Sequence, residues 1–275
     1  MLEFDSNFDV KSERTFEVPG FVFFHDFIVT ENYYIFNQAP TSFDPLPFVL
    51  GSKGPAACIS FDDTKPAILY LIPRDSSKPV EKVEVDPHFN FHFANAYEEE
   101  ESGNIIFDVV KCSKMLLGDT TKSNRPIWED IDYAKEVPYS VLTRYTLSKN
   151  NGSWKYQSSD LSKTQVDFTS VSPSVSCKKH RYVYASCGSS LTESSPVQGL
   201  IKIDAISKTE QKWFGEKYEY LGEAIFIPRE SSSGEDDGYV FSLLFNGKDK
   251  KSEFVIFDAK DISKGPISRL PISTM

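Results

Sequence analysis

Four histidines, His25, His88, His92 and His180, carry most of the chemistry open to this sequence. Two of them stand among aromatic side chains, in Phe21-Val22-Phe23-Phe24-His25-Asp26-Phe27 and in Phe89-Asn90-Phe91-His92-Phe93. Burying an imidazolium among phenyl rings is costly, so a neutral ring is expected at both positions. A neutral imidazole is either a metal ligand or a hydrogen-bonded core residue, and the spacing leaves both readings open. His88, beside Pro87, and His180, beside Lys178, Lys179 and Arg181, have more polar contexts and read as structural or surface residues. The cysteines, Cys58, Cys112, Cys177 and Cys187, lack the short spacing of a thiolate metal site and follow no secretory leader, so free thiols in a reducing compartment are expected. No H-E-x-x-H, G-x-S-x-G, P-loop or G-x-G-x-x-G pattern occurs, which removes support for the common motif-defined hydrolases, NTPases and dinucleotide enzymes.

The elements that must position these groups are strands. Of 275 residues, 40% are hydrophobic and 25% charged, the balance of a globular protein, and the aromatic share of 14% leans toward strands. Short apolar or alternating runs separated by Gly, Pro, Asn, Asp and Ser clusters give an all-β reading with sixteen candidate strands, among them 20–25, 33–37, 67–72, 89–97, 104–110, 165–168, 224–228 and 239–245. Asn150-Asn151-Gly152 and Asn246-Gly247-Lys248-Asp249 read as hairpin turns of a meander. At roughly four strands per blade, the series makes about four blades of a β-propeller, near the lower limit for a closed ring. The one short helix expected lies at 127–135. Segments 117–138 and 231–237 read as exposed connectors, and 40–55 as a loop with an unusual apolar content in Phe43, Leu46, Phe48, Val49 and Leu50.

A formal net charge of -10 and a pI near 5.0 repel polyanions at long range, so no nucleic-acid partner is expected. No run approaches the ~18 to 20 apolar residues of a membrane-spanning helix. The chain as written therefore reads as cytoplasmic, with a plastid location open if a transit peptide lies on a preceding part.

Several segments resemble the carotenoid cleavage oxygenase family. They are Phe24-His25-Asp26-Phe27-Ile28-Val29-Thr30-Glu31-Asn32-Tyr33, Phe91-His92-Phe93-Ala94-Asn95-Ala96-Tyr97-Glu98-Glu99, Gly222-Glu223-Ala224-Ile225-Phe226-Ile227-Pro228-Arg229, Glu235-Asp236-Asp237-Gly238-Tyr239 and Lys251-Ser252-Glu253-Phe254-Val255-Ile256-Phe257-Asp258-Ala259. They occur in the family's order and cover nearly the whole chain. The resemblance implies a seven-bladed β-propeller with one non-haem Fe(II) per intact ring, held by four histidines, which cleaves a double bond of a carotenoid or apocarotenoid polyene with dioxygen.

By the same resemblance His25 matches the second iron ligand and His92 the third. The first is expected in blades before residue 1 and the fourth beyond the last residue, which makes 1–275 a single incomplete propeller domain of about four blades. Glu223 matches a glutamate that supports the iron ligands. Asp167 falls where many members carry another, its shorter side chain reaching through altered backbone or water. Phe43, Leu46, Phe48, Val49 and Leu50 correspond to the mouth of the substrate tunnel and to peripheral membrane contact, against a plainer reading in which the loop packs over a blade. The competing class is a catalytically inactive propeller fragment that acts as a binding module or is a partial gene product.

Overall fold

The computed structural model describes residues 1–115, 137–188 and 196–272. Four antiparallel sheets follow one another along the chain as successive blades. Blade 1 is built from Ile28–Val29, Tyr33–Gln38, Ala67–Pro73 and Glu81–Val85, and blade 2 from Phe93–Glu98, Ile105–Cys112, Ser140–Asn150 and Ser153–Asp160. Blade 3 comprises Val166–Ser170, Tyr182–Cys187, Gly199–Asp204 and Glu210–Phe214. In blade 4 two short pieces, Glu219–Leu221 and Ile225–Pro228, both pair with Gly238–Asn246, which is followed by Lys251–Asp258 and Ser268–Ile272. A hairpin of Leu2–Phe4 and Val10–Glu13 precedes the blades, and a second small pair, Thr41–Phe43 with Ile59–Phe61, is inserted within blade 1.

Burial explains which sequences become which strands. Ala67–Pro73 and Ile105–Cys112 are almost continuously apolar and almost continuously buried, because a middle strand of a stacked blade is covered on both faces. The outer strand Ser153–Asp160 alternates and is mostly exposed. Three apolar cores join the blades pairwise. Ile35, Leu69 and Leu71 of blade 1 meet Phe93, Ile105 and Phe107 of blade 2. Leu142 of blade 2 meets Val166, Val183 and Ile201 of blade 3, and Tyr184 and Leu200 of blade 3 meet Val240, Leu244, Val255 and Phe257 of blade 4. Packing across each interface therefore fixes how one first strand faces the next. The far face of blade 4 is also apolar, with Ile225, Ile227, Leu243, Phe245, Leu270 and Ile272 exposed.

Three expectations change. Segment 20–25 forms no strand: Gln38 Nε2 donates to the carbonyls of Pro19 and Phe21, and the phenyl rings anchor separately, Phe21 on Phe43, Phe23 on Phe89 and Phe24 on Phe36. Segment 40–55 is not a plain loop. It contains a strand and a short helix, Pro45–Val49, whose first turn is capped by the Asp44 carboxylate accepting from Leu46 N. Glu81–Val85 was not among the expected strands; Lys82 and Glu84 face out while Val83 and Val85 enter the core. The helix expected at 127–135 and most of the connector 117–138 lie outside the described residues, whereas 231–237 is the expected connector.

Candidate metal centre

Each blade brings one of the four candidate polar residues to its first strand. His25 lies three residues before Ile28–Val29 and His92 directly before Phe93–Glu98. Asp167 is the second residue of Val166–Ser170, and Glu223 occupies the gap between Glu219–Leu221 and Ile225–Pro228. Three of these strands are irregular at or near that point. In blade 2 the register passes from Asp108 opposite Asn95 to Val109 opposite Phe93, skipping Ala94. Blade 3 breaks register between Asp167 and Ser170, with Phe168 at φ 55°. In blade 4, residues 222–224 bulge out between the Leu221–Leu244 and Ile225–Phe241 pairs. Bulges of this kind re-aim side chains that a regular pleat would send elsewhere.

The result brings two imidazoles together. The rings of His25 and His92 lie 5.2 Å apart, centroid to centroid, at 88° to one another. Phe91 stands edge-on to His25 at 5.2 Å, and Phe168 lies 5.1 Å from His92. His92 Nδ1 is 2.7 Å from Asp167 Oδ1. An ionised carboxylate can only accept, so Nδ1 donates to it, and in the neutral ring the Nε2 lone pair is left free. The hydrogen bond to Asp167 raises the His92 pKa against the effect of burial, and the charges of Asp167, Asp26 and Glu223 act in the same direction. Asp167 reaches the ring directly, at a point where the left-handed Phe168 and the broken register interrupt the strand.

Glu223 is less engaged. It is exposed, its charge acts on His92 through space, and among the described residues it makes no hydrogen bond or ion pair. The described residues hold no group of three or more His, Cys, Asp and Glu arranged for a metal ion. Two imidazoles with one oriented by a carboxylate nevertheless match the donor set of a histidine-ligated metal, in which a ligating ring gives its second N–H to a carboxylate. The fit is to part of a coordination sphere.

The other two histidines are structural and both are buried. His88 Nδ1 is 2.8 Å from the Asp86 carbonyl, and its ring stacks on Tyr145. Burial pushes its pKa down to about 4. His180 Nε2 bonds Asp108, which Arg144 also clamps through two hydrogen bonds, and His180 Nδ1 lies 3.1 Å from Asn95 Nδ2. Burial alone would raise the Asp108 pKa, but the bonds from Arg144 and His180 outweigh it and hold it low.

In segment 40–55, Leu46, Phe48, Val49 and Leu50 are 48 to 75% exposed, whereas Phe43 is half-buried and stacks on Phe21 at 5.6 Å. Only Phe43 follows the reading in which the loop packs down. Sequence reasoning passed over Asp26 and Thr169, whose side chains both bond the Phe93 backbone. The adjacency of Asp26 to His25 was the one signal available.

The model of the retinal pigment epithelial membrane protein family (RPE65) matches residues 1–274. The chain belongs to the carotenoid cleavage oxygenase family. Among its relatives, the apocarotenoid-15,15'-oxygenase of Synechocystis is 32% identical over 273 residues, 99% of this chain and 54% of that protein. The carotenoid 9,10(9',10')-cleavage dioxygenase of Crocus sativus is 31% identical over 91% of this chain and 46% of its own length. The crystal structure of cobalt-substituted Synechocystis ACO superposes with a TM-score of 0.90 at 30% identity, covering 99% of this chain and 55% of that one. The architecture is accordingly that of part of the family's β-propeller, and the chain spans about half the length of the curated relatives it matches.

Proposed function

We propose that this chain carries His25 and His92 as two ligands of a non-haem Fe(II) centre for oxidative cleavage of a carotenoid or apocarotenoid double bond by dioxygen. The observation that carries the reading is the pair of imidazoles at 5.2 Å and 88°, with His92 Nδ1 bonded to Asp167. Asp167 keeps the His92 tautomer whose Nε2 would be free to ligate a metal, while Phe91 packs against the His25 ring and Phe168 against the His92 ring. Glu223 contributes negative charge from blade 4. When bound, Fe(II) supplies the activation of dioxygen, which no side chain in this set can provide.

A polyene is nearly insoluble in water, so its capture needs an exposed apolar surface. The outward-facing Leu46, Phe48, Val49 and Leu50 support that role and, with it, peripheral contact with a membrane. All four cysteines are free thiols, which supports a reducing compartment such as the cytoplasm or a plastid.

The test is metal content and turnover of the purified chain, with an apocarotenal as substrate and product read by chromatography. Iron that is lost in His25→Ala and His92→Ala, together with cleaved product, supports the reading. A folded chain with neither iron nor product supports the second reading, an inactive propeller module. That alternative is favoured by one observation, that the described residues bring two imidazoles together and no third ligand.

A further inference from the structure

The first strand of a blade is an edge strand, and its outward peptide groups have no ladder partner. At Phe93, the residue after His92, both of these groups are taken by side chains from the flanking blades. The Phe93 N–H donates to Asp26 Oδ2 at 3.0 Å, and the Phe93 carbonyl accepts from Thr169 Oγ1 at 3.0 Å. Asp26 follows His25 directly and lies in the segment that leads into blade 1, while Thr169 is two residues after Asp167 in blade 3. The other oxygen of Asp26 accepts from Phe27 N at 2.8 Å, so this carboxylate is held at both ends. The shortest path between the two imidazoles therefore runs His25, Asp26, Phe93, His92, through a single hydrogen bond. Phe93 is buried, which shields that bond from water.

We propose that Asp26 and Thr169 are positioning residues that stitch blades 1, 2 and 3 through the backbone of Phe93 and so set the separation and angle of the His25 and His92 rings. The proposal rests on those rings acting as a metal-binding pair. Asp26 makes the larger contribution, because it is charged, directly follows His25 and accepts from the N–H of the residue after His92. Thr169 holds the carbonyl of the same residue from the side of Asp167 and so keeps Asp167 in reach of His92 Nδ1.

The experiment uses the full chain and Cu(II)-nitrilotriacetate, a probe that two suitably spaced imidazoles bind together whatever the native metal is. Affinity is read by titration and the number of bound imidazoles by electron paramagnetic resonance, with melting temperature measured alongside. In the unsubstituted chain a two-imidazole signal is expected, reduced to one imidazole in His25→Ala. Asp26→Ala should weaken binding by roughly 10-fold, the scale typical of groups that orient metal ligands, and convert much of the signal to one imidazole. Asp26→Asn keeps an acceptor oxygen for Phe93 N–H and should restore the two-imidazole signal. The isosteric Thr169→Val should weaken binding about 3-fold, and it carries the test if Asp26→Ala does not fold.

A merely structural role predicts a lower melting temperature with affinity and signal unchanged, and that result in Asp26→Ala and Thr169→Val overturns the proposal. So does the lack of a two-imidazole signal in the unsubstituted chain. Iron uptake is scored separately. If Cu(II) reports both rings and responds to Asp26→Ala while Fe(II) does not bind, the iron reading fails and the positioning role stands.

Discussion

His88 and His92 are four residues apart, both close to aromatic rings, and the structure uses them in opposite ways. His88 is fully enclosed, stacked on Tyr145 and held neutral by burial, with Nδ1 on the Asp86 carbonyl. His92 is only partly covered, and its proton is held by Asp167 from the next blade. A second contrast separates His180, locked between Asp108 and Asn95 at the interface of blades 2 and 3, from His25, exposed at the start of blade 1. Neighbouring sequence already separates the two kinds, aromatic around His25 and His92 and more polar around His88 and His180. The structure adds position relative to a first-strand edge, where a ring can face the neighbouring blades instead of the apolar interior.

The contrast can be broken at four points. The largest effect is expected at the enclosed network: Asp108→Ala leaves the buried His180 and the partly buried Arg144 without their partner and should cost about 3–5 kcal/mol in urea unfolding. A loss below about 1 kcal/mol would show that this network is not what joins blades 2 and 3. Next comes His88. Its folded pKa lies near 4 and its ordinary value is 6.5, so its contribution is complete above 6.5 and is lost as pH falls toward 4. Over that window about 3 kcal/mol of stability should go, and the decline should be shallower in His88→Leu. His92 has the opposite sign. Raised by Asp167, it stabilises fully below 6.5 and loses that contribution as pH rises through its folded value.

The third point is His25→Ala. It should abolish two-imidazole metal binding, a loss on the order of 100-fold, with unfolding changed by less than about 0.5 kcal/mol because the ring is exposed. A stability loss as large as that of Asp108→Ala would place His25 with the structural histidines. The smallest effect is expected for Asp167→Asn. Its amide can still accept from Nδ1 but carries no charge, so the His92 pKa should fall toward its ordinary value by NMR titration, with metal affinity reduced by about 10-fold or less. An unmoved His92 titration would mean that this hydrogen bond does not control the ring.

Much of the fold was legible because strand burial leaves a direct trace in sequence. Runs such as Ala67–Pro73 are apolar on both faces only where sheets stack on both sides, and turn chemistry separates them. Glu81–Val85 was harder to see, since at an outer edge only Val83 and Val85 are buried. Segment 20–25 misled for the converse reason. Its phenyl rings have strand-like composition, yet they anchor on three different partners while a side-chain amide takes the backbone carbonyls. At the candidate site, the family resemblance singled out His25, His92, Asp167 and Glu223, and the structure brings the first three into contact while leaving Glu223 exposed.

The amino-acid pattern by itself determined an all-β chain of about four blades, an acidic surface unsuited to nucleic acid, and the residues through which the family can be recognised. Tertiary structure alone decided that the His25 and His92 rings meet, that Asp167 bonds His92 Nδ1, and that Asp26 and Thr169 bond the backbone of one residue, Phe93. The physical reason is range. Strand propensity and burial are written within about ten neighbouring residues, whereas His25, His92 and Asp167 lie on three blades, and their meeting depends on bulges and on the packing of whole sheets.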